Sequence, residues 1–297
     1  MKKLIFFALT ALFLVSCKKQ TYLEEEFSKE KIDFIQNYLS SEKFKKLDDK
    51  KSKTIGEYLN KNIGVNLATP SAIVPFPDIQ IYKEGDLVFS SKEGSILIFD
   101  KNKELVYFDS KIYKKLENNN IFDELIKSKI LGDYKLHGDL KQDRVKVLLP
   151  NIDNISNYSN AAFVSYSDTS IKRIIKIREF ELENQEVEVE KSIEELKGSN
   201  SYLYNDKEPT RIELSICNFA VLAYIENQTI TYVGGGTKED TLTEDGRNLK
   251  AYILEYEENY KDESTGKKEK NKTKILVSTN TLEEIGICSL SSFIREE

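Results

Sequence analysis

The amino terminus carries a short apolar segment that is flanked on both sides by charge. Lys2 and Lys3 precede the apolar run Leu4 to Leu14, which has one polar interruption. A helix that spans a bilayer needs about 20 apolar residues, and Lys18 and Lys19 prevent this run from being extended. The pattern therefore predicts a cleaved export signal rather than a membrane span. No later segment approaches the length of a spanning helix, so we expect nothing else to enter the bilayer.

The export signal ends in a cysteine. Leu14, Val15 and Ser16 supply a leucine, a variable position and a small residue directly before Cys17. This arrangement resembles the lipobox of bacterial lipoproteins. In that family the cysteine thiol is alkylated with a diacylglyceryl group, the chain is cut before the cysteine, and the new amino end is acylated. The resemblance covers residues 1–17 and names no domain family.

The resemblance implies a membrane-anchored protein of the cell envelope. Residues 1–16 would be the signal peptide, and the lipid would be attached to Cys17. Several acyl chains on one residue give a stable anchor, whereas a single chain binds only marginally. We expect the outer membrane, with the protein facing the periplasm or the exterior. The alternative is an ordinary cleaved signal that leaves a soluble secreted protein.

The composition favours a folded, acidic protein. Removal of residues 1–16 leaves 281 residues with 42 basic and 50 acidic side chains, a formal net charge of −8. An acidic surface argues against a nucleic-acid partner. Charged residues at 32 % and hydrophobic residues at 39 % describe a globular rather than a disordered chain.

Helix caps, turn residues and prolines along the chain predict an α+β fold. N-terminal helices are followed by mostly antiparallel β-meanders and short helices. We expect a tether over residues 17–27 and a helical segment over residues 28–69. Pro70, Pro75 and Pro77 separate these from a β-meander plus helix over residues 70–150. Residues 151–297 are predicted to form a β-rich C-terminal domain.

The helical predictions rest on caps and apolar spacing. Ser28 is expected to cap a first helix, and a second short helix is expected around residues 44–47. Thr54 to Glu57 fits a capping box, with Gly64 placed to end that helix. Further helices are expected over residues 112–131, with an interruption at Asn118 to Asn120, and over residues 192–197. A capped helical turn is expected over residues 281–285.

The strand predictions rest on β-branched runs that turn residues separate. They cover residues 79–82, 87–90, 96–100, 105–109, 145–149 and 161–166. A hairpin is predicted for residues 171–182 and 187–190. The last third is predicted to form an up-and-down meander of strands at residues 212–217, 219–226, 229–233, 249–256 and 274–278.

Few residues of the chain are suited to catalysis or metal binding. His137 is the single histidine, so sites that need two histidines are excluded. It would serve as a general base for Cys217, although a histidine in a surface loop is the interpretation we favour. The sequence indicates no metal site, no cofactor and no catalytic residue that can be named.

Two cysteines remain besides the anchor. Cys217 and Cys288 adjoin isoleucines in segments that look buried. Outside the cytoplasm a pair of cysteines can oxidise, so one hypothesis is a Cys217–Cys288 disulfide. The alternative is two separate buried thiols, and the sequence alone does not decide between them.

Two long loops of the C-terminal meander are expected at its opposite ends. The loop over residues 260–272 has a net charge of +2, and Gly234 to Asn248 has a net charge of −2. Long loops on a rigid sheet often hold binding residues. We favour the acidic, glycine-rich loop as the partner-binding element, and its relevant residues are Gly234, Gly235, Gly236, Asp240, Glu244 and Asp245.

The sequence favours a non-enzymatic binding or interaction protein. Its partners are expected to be a membrane, through the lipid on Cys17, and an unidentified protein or glycan ligand. One alternative is a lipid-anchored hydrolase that uses carboxylates, because 50 acidic residues would conceal a catalytic pair. A second alternative is an immunity lipoprotein that neutralises an incoming toxin.

Overall fold

The protein has an α+β fold that is mostly β, and its strands form two sheets. The computed structural model describes residues 21–67, 80–112, 114, 120–140, 144–152, 155–167, 170–178, 191–217, 222, 225, 229–232, 249–261 and 268–289. The strands pair antiparallel, with one exception between two short segments of the second sheet. The broad prediction of an α+β fold is confirmed.

Four α-helices accompany the sheets in the described residues. They are α1 (Lys29–Phe34), α2 (Asp49–Leu67), α3 (Ile121–Lys127) and α4 (Ile193–Lys197). A π-helical turn, Ile35–Leu39, extends α1, and short 3-10 turns cover Leu23–Glu25 and Tyr158–Asn160. The predicted helix over residues 192–197 is confirmed, and the Ser192 and Glu195 side chains close a reciprocal capping box at its start.

The first sheet, sheet A, has eight strands in the order β1-β2-β3-β4-β9-β8-β6-β5. These strands are β1 (Lys45–Lys46), β2 (Leu87–Ser90), β3 (Ile96–Phe99), β4 (Leu105–Asp109), β5 (Tyr134–Leu140), β6 (Val145–Pro150), β8 (Ala162–Ser167) and β9 (Ser170–Lys176). The meander β2-β3-β4 is the one the turn residues predict. Strands from both sides of the boundary that we expected after Pro150 pair within this sheet.

The second sheet, sheet B, has six strands in the order β11-β14-β13-β12-β10-β7. They are β7 (Ile155–Asn157), β10 (Arg211–Cys217), β11 (Thr229–Tyr232), β12 (Leu249–Lys261), β13 (Lys268–Ser278) and β14 (Glu284–Ser289). The prediction of an up-and-down meander is wrong in its order, because β11 pairs with β14 and not with β12. In the stretch predicted as strand 219–226, the described residues Leu222 and Ile225 are helical and buried.

Side-chain alternation places the two sheets face to face. Ile98 of sheet A and Ile253 of sheet B belong to one buried cluster between the sheets. Leu97 and Phe99, on the opposite face of β3, pack instead against the first helices and α3. Successive strand residues point to opposite faces, so each sheet has two apolar faces to bury. The outer face of sheet B is covered by α4 and the segment that follows it.

The α2 helix begins earlier than the sequence pattern indicates. The Asp48 side chain accepts a hydrogen bond from the Lys51 amide at 3.0 Å and thereby caps the helix. Thr54 lies inside the helix, where its hydroxyl donates to the Lys50 carbonyl at 2.9 Å. The predicted capping box at Thr54 is therefore wrong, and Gly64 lies within the helix rather than at its end.

Other local predictions are corrected by tertiary pairing. The short helix expected at residues 44–47 is replaced by β1, which pairs with β2. The helical turn expected at residues 281–285 is replaced by a turn that leads into β14. Residues 80–82 are not a strand. The helical stretch predicted over 112–131, with its interruption at residues 118–120, forms α3 over Ile121–Lys127 in the described residues, and residues 113 and 115–119 lie outside them. The strands β5 and β7 were not predicted.

Candidate functional site

Charged side chains gather where several strands of sheet A reach the same end. Asp86 precedes β2 and Glu104 precedes β4, while Lys176 and Arg178 come from the end of β9. Because β9 runs antiparallel to β4, its end lies beside the start of β4. The cluster joins residues from three strands, and its two ion pairs are Asp86–Arg178 and Glu104–Lys176.

The Asp86–Arg178 pair is the most enclosed of the ion pairs. The two charged groups approach to 2.8 Å, and their side chains are only 4 % and 10 % exposed. Burial raises the pKa of Asp86, although a hydrogen bond from the Lys83 amide and the Arg178 charge act against this rise. The Arg178 nitrogen that faces Asp86 is Nη2, whereas its Nε has no hydrogen-bond partner among the described residues. The pair fixes the turn before β2 against the end of β9.

The Glu104–Lys176 pair has a second layer of contacts. The Lys176 ammonium lies 2.6 Å from Glu104 and donates to the Leu131 carbonyl at 2.9 Å. It also lies 5.1 Å from the centre of the Tyr134 ring. The ammonium is therefore surrounded by acceptors and a ring face, as in a structural contact between β9 and β5. Nearby, burial lowers the pKa of Lys31, and the charges of Glu104 and Asp100 oppose that shift.

A second polar cluster surrounds the carboxylate of Glu42. It accepts hydrogen bonds from the hydroxyls of Ser40 at 2.9 Å, Ser91 at 2.8 Å, and Ser95. Burial acts to raise the pKa of Glu42, but the serine hydroxyls stabilise the charged form and the net pKa is lowered. This arrangement holds a carboxylate ionised, so it suits a structural anchor for the β2–β3 turn better than a general acid.

Two described carboxyl groups, those of Asp86 and Glu284, have raised pKa values, and burial is the main cause for both. Asp86 belongs to sheet A and Glu284 to sheet B. Over the described ranges, no group of three or more His, Cys, Asp and Glu residues is placed to hold a metal ion.

The chain is part of the fold at Thr21, four positions after Cys17. The Thr21 carbonyl accepts a hydrogen bond from the Lys46 amide at 3.0 Å, and Tyr22 forms an antiparallel bridge with Lys45. Leu23 is 4 % exposed and belongs to the core under the first helices. The prediction of a tether over residues 17–27 is therefore wrong from Thr21 onward. We call Thr21 to Phe27 the amino-terminal strap.

Ion pairs bind the amino-terminal strap to sheet A and its turns. Glu26 lies 2.8 Å from the Lys46 ammonium and 3.6 Å from that of Lys103. The hydrogen bond from Lys46 lowers the pKa of Glu26, opposed by burial and assisted by the Lys103 charge. Phe27 stacks against Phe99 with ring centres 4.1 Å apart. The strap thus covers the outer side of β1, which is the last strand at that edge of sheet A.

Register in sheet B separates the two cysteines. Cys217 pairs with Leu249 of β12, whereas Cys288 pairs with Lys274, which in turn pairs with Glu255 of β12. The cysteines are thus three strand spacings and six residues apart, about 25 Å. A disulfide needs Cα atoms closer than about 7 Å. The disulfide hypothesis is therefore wrong.

Some of the remaining predicted residues lie outside the part of the chain that the structure describes. Cys17 and the loop residues Gly234, Gly235, Gly236, Asp240, Glu244 and Asp245 lie outside the described residues. His137 lies in β5 rather than in a loop, is exposed, and meets the Tyr158 ring edge-on at 5.4 Å. Its role as a base for Cys217 stays a prediction, since the Cys217 side chain lies outside the description.

No family model matches this chain, and neither a curated protein nor a solved structure gives a significant match. Within the described part of the chain, no helix combines the length and apolar character that crossing a bilayer requires. The function therefore has to be inferred from the chain's own residues.

Proposed function

We propose that the protein is a lipoprotein of a bacterial cell envelope that acts as a non-enzymatic binding or interaction module. The observation that carries the proposal is the export signal that ends in Leu14-Val15-Ser16-Cys17. In the described residues, the strap binds Thr21, four positions after Cys17, to β1.

The binding role is supported by the way the fold uses its charged groups. Asp86 and Arg178 are almost fully enclosed and pair with each other, and the buried Lys176 pairs with the partly exposed Glu104. Ion pairs with a structural role also shift pKa values, and we assign these two pairs to that role. A rigid double sheet with its loops at the ends is a scaffold on which loops present binding residues.

The partner-binding element that we propose remains the loop Gly234 to Asn248. Its flanking strands fix where it starts and ends, because Tyr232 aligns through β14 and β13 with Ile253 of β12. The loop therefore leaves and rejoins sheet B at the end where β12 begins. The β12–β13 turn, between Lys261 and Lys268, is at the opposite end. The ligand class that we propose for the loop is a protein or a glycan.

The anchor is tested by substitution of Cys17 with serine in cells. A serine hydroxyl cannot form the thioether, so Cys17→Ser should abolish lipid attachment and leave the chain either uncut or released from the membrane fraction. The measurement is the distribution of the protein between membrane and soluble fractions after a carbonate wash. Ser16→Ala is the matched control, because it keeps a small residue before the cysteine. Membrane retention of a cleaved Cys17→Ser chain equal to that of the control would contradict the proposal.

A further inference from the structure

We propose that the β1 edge of sheet A, with Lys43 and Lys45 exposed on it, faces the lipid headgroups of the membrane to which the protein is anchored. The proposal rests on lipidation of Cys17, and it adds an orientation and an interaction surface. Its basis is the early start of the fold. Between the lipidated residue and Thr21 lie only Lys18, Lys19 and Gln20.

The length of this linker limits how the body can turn. From Cys17 to Thr21 the chain spans at most about 14 Å when fully extended. A folded chain of this size is roughly 50 Å across. The attachment point therefore stays near the bilayer while the opposite side of the body cannot reach it. A longer tether would have allowed the body to rotate freely.

The strap decides which side of the body is held near the bilayer. Thr21 and Tyr22 are bound to Lys46 and Lys45 of β1, so the chain enters the fold at this edge of the sheet. The opposite edge is β5, which lies seven strand spacings away, or about 34 Å. In the anchored protein, β1 is thus the near edge and β5 the far edge.

The chemistry of the near edge suits a headgroup layer. Lys43 and Lys45 are exposed, and the Lys43 ammonium lies 4.4 Å from the centre of the Tyr22 ring. Lysine and tyrosine are residues that place an apolar stem or ring at an interface and keep a polar end in water. Because Tyr22 already bridges to β1, the strap covers the outer side of this strand and leaves the side chains of Lys43 and Lys45 exposed.

The orientation is tested by lysine footprinting of the full-length lipidated protein in phosphatidylcholine nanodiscs. A membrane-impermeant amine-reactive reagent is used, and each lysine is quantified by mass spectrometry. The reference is a chain that begins at Lys18, and thus lacks both signal peptide and lipid, in solution. Modification of Lys43 and Lys45 should fall about fivefold in the nanodisc, because headgroups restrict access to groups at the interface. Lys135, an exposed residue of β5, should be unchanged and serves as the internal control.

A linker variant separates orientation from anchoring. Insertion of twelve glycine and serine residues between Lys19 and Gln20 should return Lys43 and Lys45 to the reactivity of the soluble chain, although Cys17 is still lipidated. Equal protection of near-edge and far-edge lysines, or no protection at all, on a chain whose lipidation is shown by mass would overturn the orientation and leave the lipoprotein proposal standing. An unmodified Cys17 would overturn both.

Discussion

Replacement of Arg178 by methionine is expected to lower the free energy of unfolding by about 3–5 kcal/mol at neutral pH. The guanidinium lies 2.8 Å from Asp86, and both side chains are almost fully enclosed. Methionine fills a similar volume but leaves the Asp86 carboxylate buried without its counter-charge. Chemical denaturation followed by circular dichroism measures the loss.

Protonation of Asp86 should reduce the stability that Arg178→Met loses. Burial already raises the pKa of Asp86, and removal of the Arg178 charge would raise it further. Consider a carboxyl whose pKa is higher in the folded than in the unfolded state. Below its unfolded pKa of about 4 it does not reduce the free energy of unfolding, and it reduces that free energy as pH rises through the folded pKa. The deficit of Arg178→Met should therefore shrink as pH falls toward 4.

Two companion variants define the cause. Asp86→Asn combined with Arg178→Met leaves no unpaired charge, so the double variant should be more stable than Arg178→Met alone. Arg173→Met is the matched control, since Arg173 pairs with Asp109 at 3.2 Å but is 31 % exposed. Its cost should be about 1 kcal/mol or less. A double variant no more stable than the single one would show that the ion pair is not the source of the loss.

Replacement of Asn60 by alanine should lower the free energy of unfolding by about 3 kcal/mol, because buried backbone groups lose their hydrogen-bond partners. The Asn60 amide oxygen accepts hydrogen bonds from the Ile81 and Tyr82 amides, both at 2.9 Å, and its nitrogen donates to the Tyr82 carbonyl at 2.9 Å. Both partner residues are buried. The side chain thereby joins α2 to the segment that enters β2, and alanine would leave two amides unsatisfied. The midpoint of urea unfolding measures the effect.

Lys61, the next residue of the same helix, supplies the control. Its side chain is exposed, so Lys61→Ala should change stability by about 0.5 kcal/mol or less. Equal midpoints for the two variants would mean that the Asn60 contacts do not hold α2 in place. Asn60→Asp retains the acceptor and loses the donor, so it should lie between wild type and Asn60→Ala.

Local patterns in the sequence predict the parts of this fold that neighbouring residues determine. The meander β2-β3-β4 follows from its turns, and Gly85 and Gly94 both adopt the positive φ angles that such turns use, 94° and 93°. The start of α2 was misplaced because Thr54 and Glu57 imitate a capping box. Gly56, within that motif, is needed for a different reason: a Cβ there would overlap the Tyr82 ring.

Long-range pairing accounts for what the sequence does not predict. The Glu104–Lys176 contact joins residues 72 positions apart, and sheet A places β9 between β4 and β8. With 50 acidic side chains in the chain, no local pattern distinguishes Glu104 or Asp86 from the solvated ones. The strap was predicted to be a tether because Glu24 and Glu25 suggest a solvated segment. The signal for a folded segment was the apolar Leu23 beside Tyr22, and Leu23 is buried in the structure.

The central claim is that Cys17 carries the lipid of a mature envelope lipoprotein, and the mass of the amino-terminal peptide tests it most directly. The protein should be purified from membranes in detergent and digested, and the peptide that begins at Cys17 analysed by mass spectrometry. The account predicts a peptide that starts at Cys17 and carries the added mass of a diacylglyceryl group and an amide-linked acyl chain. A mature peptide with an unmodified Cys17, or one that still contains residues 1–16, would contradict the claim.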